Sequence, residues 1–350
     1  MHAAEAFAGL HADATSEERV AGLRDLLVTE PHFMVSIVLL NLLGREAHAS
    51  PDAVDATLEA LDTLRAGADQ SSESQELADE TEKAAAADRV DDEHNNLKVN
   101  ITTFLALAHE TPHALSTLAE WASEPAKHNE LGHAIWFIRD YLAPGAEPRL
   151  QQRAFEFVTT ASTSALRYLT ETGGAHVDVA ELAPSQLSEL KNVLRVLEAT
   201  ANQIYFASGA YESSRGNLSE DGVQQSAAGP ADIARFADLA TSTLLICAAS
   251  KAAPVVHHVV ETLVYLAQAD EKRSLKALAE AVTAYSGYAY DSLASGVVVP
   301  YLTRLIAEQR DLVLFDAEGV DAFKTLLAAF AGAGNEDALV LAFTFADVFR

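Results

Sequence analysis

Cys247 is the only cysteine of the chain, so no intramolecular disulfide can form. It stands in the apolar run Leu244-Leu245-Ile246-Cys247-Ala248, which predicts a buried, inert thiol. Aromatic residues are few, at 7%, while alanine and leucine dominate, and a β-rich fold is disfavoured. Basic residues are also scarce: eight lysines and sixteen arginines stand against 51 acidic side chains, for a formal charge of -27. A negative field of that size repels phosphate backbones and anionic lipid, which argues against nucleic-acid and membrane partners. Scarce lysine suits a GC-rich genome or a salt-rich cytoplasm, bacterial or archaeal, in which a carboxylate-covered surface stays hydrated. The start Met1-His2-Ala3-Ala4-Glu5 lacks the basic and apolar regions of a signal peptide. Apolar runs such as 37–40 and 326–331 fall far short of the roughly 18 to 20 residues that cross a bilayer. A cytoplasmic protein is expected.

What the chain has is helical punctuation. A small polar residue followed by proline marks a helix start, because proline's missing N–H costs nothing in the first turn. Ser50-Pro51 and Thr111-Pro112 are the clearest cases, and Glu30-Pro31, Ala183-Pro184, Gly229-Pro230, Ala253-Pro254 and Val299-Pro300 are read the same way. About a dozen helices follow. Leu150, Ala154, Phe157, Ala161, Ala165 and Tyr168 form one apolar seam, ended by Gly173-Gly174, and Leu187, Leu190, Leu194, Leu197, Ala201 and Ile204 form another. Together they predict a long helical hairpin. Val297-Val298-Val299 has strand-like character that Pro300 would stop.

These signals divide the chain into N-terminal helices (1–66), an acidic linker (67–93), a central region with the hairpin (94–210), a Ser/Gly/Gln-rich linker (211–229) and C-terminal helices (230–350). Asp69 to Glu93 carries ten acidic and two basic residues and hardly any large apolar side chain, too little to offset its ordering entropy. The expected fold is all-α: antiparallel helix pairs stacked as an irregular helical-repeat array. Loose similarity links Thr57-Leu58-Glu59-Ala60-Leu61, Thr117-Leu118-Ala119-Glu120-Trp121, Thr262-Leu263-Val264-Tyr265-Leu266 and Thr325-Leu326-Leu327-Ala328-Ala329, without a fixed period. The chain in this respect resembles HEAT-like and other α-solenoid proteins, a resemblance of architecture that transfers no functional residue. The helices from Pro300 to Arg350 also resemble, faintly, the helical tails that follow nucleotide-binding modules in large bacterial proteins.

Chemistry-bearing motifs are incomplete. His109-Glu110-Thr111-Pro112-His113 has the letters of a zinc-peptidase helix, but Pro112 pushes Thr111 out of helical geometry and splits the histidines across a helix boundary. His128-Asn129-Glu130-Leu131-Gly132-His133-Ala134 resembles the same motif with asparagine in place of the first histidine, which removes a ligand. Glu130 and His133 also have the Glu-x-x-His spacing of di-iron bundles, which require a second such pair. His109, His113, Glu130 and His133 are therefore the candidate metal residues of an alternative reading only. His257, His258 and Glu261 make a polar stripe on an otherwise apolar helix, readable as a groove lining, a metal site or an exposed edge. Tyr285, Tyr288, Tyr290 and Tyr301 cluster among small residues, either as a binding surface or as ordinary packing. Gly332-Ala333-Gly334-Asn335 reads as a turn, and no phosphate loop or serine-nucleophile elbow is present.

No catalytic residue, metal or cofactor is predicted. The leading expectation is a non-enzymatic scaffold or adaptor that binds a protein partner with a basic surface through an acidic face. One alternative is a metal-dependent hydrolase or metal-binding helical protein. The other is a helical sensor or structural part of a larger bacterial signalling or defence assembly.

Overall fold

The computed structural model describes residues 15–29, 98–107, 112–172, 183–214 and 228–348, with the single positions 35, 39, 42 and 96. Glu30-Pro31, Ser50-Pro51, Thr57 to Leu61, the acidic stretch 67–93, His109, Gly173-Gly174 and most of 211–229 lie outside the described residues. Every regular element among those described is helical, and none is a strand. By contact the chain divides into two compact units, Met1–Ser123 and Glu124–Arg350.

In the first unit, α1 (Ser16–Thr29) begins with a reciprocal cap. Thr15 Oγ1 accepts from the Glu18 N–H at 3.3 Å, and Glu18 Oε2 accepts from the Thr15 N–H at 2.8 Å. Residues 98–107 are helical, and α2 (Pro112–Ser123) starts at its proline as expected and buries Ala114, Leu118, Trp121 and Ala122.

The second unit carries α3 (His128–Trp136), α4 (Arg139–Leu142), α5 (Pro148–Thr172), α6 (Pro184–Ser208), α7 (Ala210–Ser214), α8 (Pro230–Ala248), α9 (Ala253–Leu266), α10 (Glu271–Thr283), α11 (Ser292–Glu308), α12 (Arg310–Leu314), α13 (Ala317–Gly332) and α14 (Glu336–Val348). The main contacts join helices one to three positions apart in the chain. α3 and α5 lie on α6, α5 and α9 on α8, α6 on α9, α9 on α10 and α11, α10 on α13, and α13 on α14. The helices flanking residues 211–229 thus pack within one unit, α5 on α8 and α6 on α9.

Side-chain caps start several of these helices. Asp270 accepts from the Arg273 N–H, Asp291 from Leu293 and Ala294, Asp316 from Gly319, and Asn335 from Ala338, all at 2.9 Å. Each satisfies a first-turn donor that would otherwise lack a partner. Gly334, at φ 87°, supplies the left-handed turn between α13 and α14 that the glycine pair predicts.

A seam of small polar groups crosses α5, α6 and α8. Thr159 and Thr243 hydroxyls meet at 2.6 Å, Ser162 donates to Thr200 at 3.1 Å, and Cys247 Sγ lies 4.0 Å from Ser162 Oγ. Burial pushes the Cys247 thiol up to about 12, so it stays protonated at neutral pH. Tyr168 pairs with Glu189 and Ser162 with Thr200, so partners run in reversed order along α5 and α6.

Three expectations need correction. Pro300 does not start a helix: it stands exposed inside α11, and Val298 and Val299 are buried helical residues. The carbonyl that proline leaves without a donor belongs to Gly296, an exposed residue with open space around it, so water can serve it. The buried stripe of α5 is rotated from the expected seam. It keeps Ala154, Ala161 and Ala165 of that seam but continues to one side through Gln151, Phe155, Val158, Ser162 and Leu169, while Leu150, Phe157 and Tyr168 are only half-buried. On α6 burial exceeds one seam and includes Val193, Val196, Thr200 and Gln203, because α3, α5, α8 and α9 all pack on it.

Candidate functional site

His113 is exposed in the first turn of α2, within Met1–Ser123, whereas Glu130 and His133 lie half-buried on α3, within Glu124–Arg350. The asparagine at the first-histidine position is already engaged, since Arg195 of α6 donates to Asn129 Oδ1 at 2.7 Å. The aliphatic part of Arg195 also runs against Gly132, where a Cβ would come within 3.2 Å of its Cδ. A guanidinium therefore sits where the motif would require a metal ligand, and its charge opposes a cation there. Among the described residues no group of three or more His, Cys, Asp or Glu side chains is arranged to hold a metal ion.

Among the described residues, a dense polar and aromatic cluster lies on α9, where α6 and α7 meet it. His257 Nε2 lies 3.7 Å from Glu261 Oε1, one turn away, and Glu261 Oε2 has no hydrogen-bond partner. The rings of His257 and His258 are 5.6 Å apart and tilted by 48°. Tyr205 packs on both, at 6.1 and 5.1 Å, and also on Tyr211 and Phe206. Asn202 reaches His258 Nε2 at 3.4 Å, and Tyr265 covers Gly209, whose φ of 88° ends α6.

Burial and the neighbouring His257 push His258 down to about 4, against a smaller opposing pull from the Pro254 carbonyl. His258 is thus a neutral packing group at physiological pH, and the solvent-facing partner of Glu261 is His257. The sign of the pH effect follows. The unfolded chain takes up a proton on His258 near pH 6.5 and the folded chain only near 4, so stability is full above 6.5 and falls as pH drops between the two. After discounting for partial exposure, the loss is expected to be about 2 kcal/mol. Urea unfolding at pH 7.5 and 4.5 should show wild type losing that much more than His258→Gln, and equal losses would place the residue in water.

A belt of exposed ion pairs links α8, α10, α11 and α13. Lys272 Nζ meets Asp316 and Glu318 at 2.9 and 2.8 Å, Lys276 meets Glu318 at 3.0 Å, Arg304 meets Glu271 at 2.7 Å, and Arg273 pairs with Asp238. These hydrogen bonds raise the Lys272 pKa and lower those of Asp316 and Glu318. An open groove of about 380 Å³ between α8 and α10, lined by Thr241, Leu245, Lys272, Arg273, Lys276 and Glu280, owes its cations to this belt.

Comparison with protein-family models, with curated proteins and with solved structures finds no match to this chain. Function therefore rests on the arrangement itself. The predicted tyrosine cluster splits: Tyr288 and Tyr301 are buried, Tyr288 donating to the Ala248 carbonyl at 2.9 Å, while Tyr285 is partly exposed and Tyr290 is 71% exposed. Sequence reasoning singled out His257, His258 and Glu261 but missed Asn202, Tyr205 and Tyr211. The available signal was the aromatic density around Gly209.

Proposed function

We infer that this protein is a helical scaffold or adaptor, a stack of helix pairs that presents an acidic face to a basic surface of a protein partner. The observation that carries this reading is how five cations of the second unit are held. Lys272, Lys276, Arg273, Arg304 and Arg235 are each bound to carboxylates, most of them on neighbouring helices. With these five positive groups paired, the surplus of the 51 acidic residues over the 24 basic ones sets the outward field. Exposed carboxylates such as Glu156, Glu171, Glu280, Asp321 and Asp337 lie along several different helices. Stacking of each helix mainly on its near neighbours in the chain fits an array in which no single pocket dominates.

The test is partner capture with the full chain, followed by rebinding of the purified partner at 0.05 and 0.5 M salt, chosen as roughly low and high screening. Binding through such a face should weaken at least about tenfold across that range. Partners that are acidic, or whose affinity ignores salt, would overturn the reading.

A further inference from the structure

The last described helix is apolar on both sides. α14 packs inward through Ala338, Leu341 and Phe345, with the Phe345 ring 4.7 Å from that of Phe323 on α13. Its opposite side carries Leu339, Val340 and Phe343, which are 40, 65 and 74% exposed. Leu339 and Val340 are adjacent and each lies about one turn before Phe343, so the three lie on one side of the helix. From 338 to 348 only Thr344 and Asp347 are polar. A helix that is hydrophobic all round belongs in an interior, and an outermost helix in a stack normally turns a polar face to water. Charge says what kind of cover fits: α14 contains Glu336, Asp337 and Asp347 and no basic residue. A second copy would bring the same carboxylates against these, within two chains of formal charge -27.

We propose that the Leu339-Val340-Phe343 face of α14 is the docking site for an amphipathic helix of a partner protein, one whose apolar stripe is flanked by lysine or arginine. This rests on the adaptor reading and names where its basic partner is held. The apolar side chains of the partner cover the α14 stripe, and its cations meet Glu336 and Asp337, a helix-on-helix contact with apolar anchors at helical spacing.

The experiment titrates the full chain into two labelled synthetic 16-residue peptides of identical leucine and lysine content. In one, leucine recurs at helical spacing, and in the other the order is scrambled. Fluorescence anisotropy is read for wild type and for the Val340→Ser/Phe343→Ser variant, whose substituted side chains are exposed, with circular dichroism confirming equal helicity. Tight binding of the periodic peptide alone, weakened at least about tenfold in the variant, supports the proposal. Equal binding of both peptides, or no effect of the substitutions, overturns it and leaves the adaptor reading intact. Failure of both peptides to bind overturns the proposal, while the adaptor reading stands or falls by its own salt-dependence test. Sedimentation that shows a dimer of the unliganded chain, broken by the double substitution, assigns the face to a second copy and also overturns the proposal.

Discussion

Gln151→Leu is expected to lower the unfolding free energy by about 3 kcal/mol, from one buried and two half-buried polar groups that lose this partner at roughly 1 kcal/mol each. Gln151 is fully buried in the first turn of α5, yet its side chain is committed on both ends. Nε2 donates to the carbonyls of Leu142 and Ala143 at 3.0 and 2.7 Å, which closes the turn after α4. Oε1 accepts from Arg235 Nε on α8 at 2.7 Å, while Arg235 Nη2 donates to Pro144 O at 3.1 Å. Leucine fills the same volume and answers none of these groups, and one of them is a charged guanidinium. Urea unfolding of Gln151→Leu, Arg235→Met and the double variant measures the coupling, and the double should lose less than the sum of the singles. A single-variant loss below about 1 kcal/mol would mean that water replaces the amide.

Gly319→Ala is the second large effect, with an expected loss of about 3 kcal/mol, at the upper end of overpacking costs. The backbone of Gly319 is not in the left-handed region, so the reason is space alone. A methyl here would fall 2.3 Å from the Leu312 carbonyl oxygen and 2.6 Å from Leu312 Cδ1. The nearest obstacle is backbone and cannot rotate aside, so α12 must move off α13. Gly319 also donates its N–H to Asp316, which in turn holds Lys272, so the shift should disturb the cap and the ion pair. Thermal unfolding checks the stability, and Gly296→Ala, where nothing lies within 4 Å, is the control expected to be neutral or stabilising. Equal behaviour of the two variants would count against close contact at Gly319.

Part of this fold was legible in the sequence. The prolines at 112, 184, 230 and 254 announce helix starts because a fixed φ and a missing donor are assets only in a first turn. The same rule misread Pro300, where the deciding fact was the exposure of Gly296 one turn back, a tertiary property. The aspartate caps at 270, 291 and 316 went unnoticed because acidic residues are so common here that no single one stands out. Hydrophobic periodicity found half of the α5 seam, Ala154, Ala161 and Ala165, and set its centre to one side, since it passed over Gln151 and Ser162, both buried through hydrogen bonds to other helices. Of the candidate site, the His257-His258-Glu261 stripe was visible as polar letters in an apolar run. Its aromatic neighbours come from α6 and α7, more than 40 positions away in the chain, and no local pattern announces them.

The hydroxyl seam has a mechanical consequence. An interface of smooth aliphatic side chains allows one helix to slide along another through many nearly equivalent positions. Thr159 against Thr243 and Ser162 against Thr200 are different: a slip of one turn, about 5.4 Å, would break both pairs and strand three buried hydroxyls and one half-buried one. α5, α6 and α8 are therefore keyed to one another and move as a block. Any bending of the molecule under load from a bound partner is directed to contacts without such keys, as between α13 and α14, where the ring pair of Phe323 and Phe345 can glide.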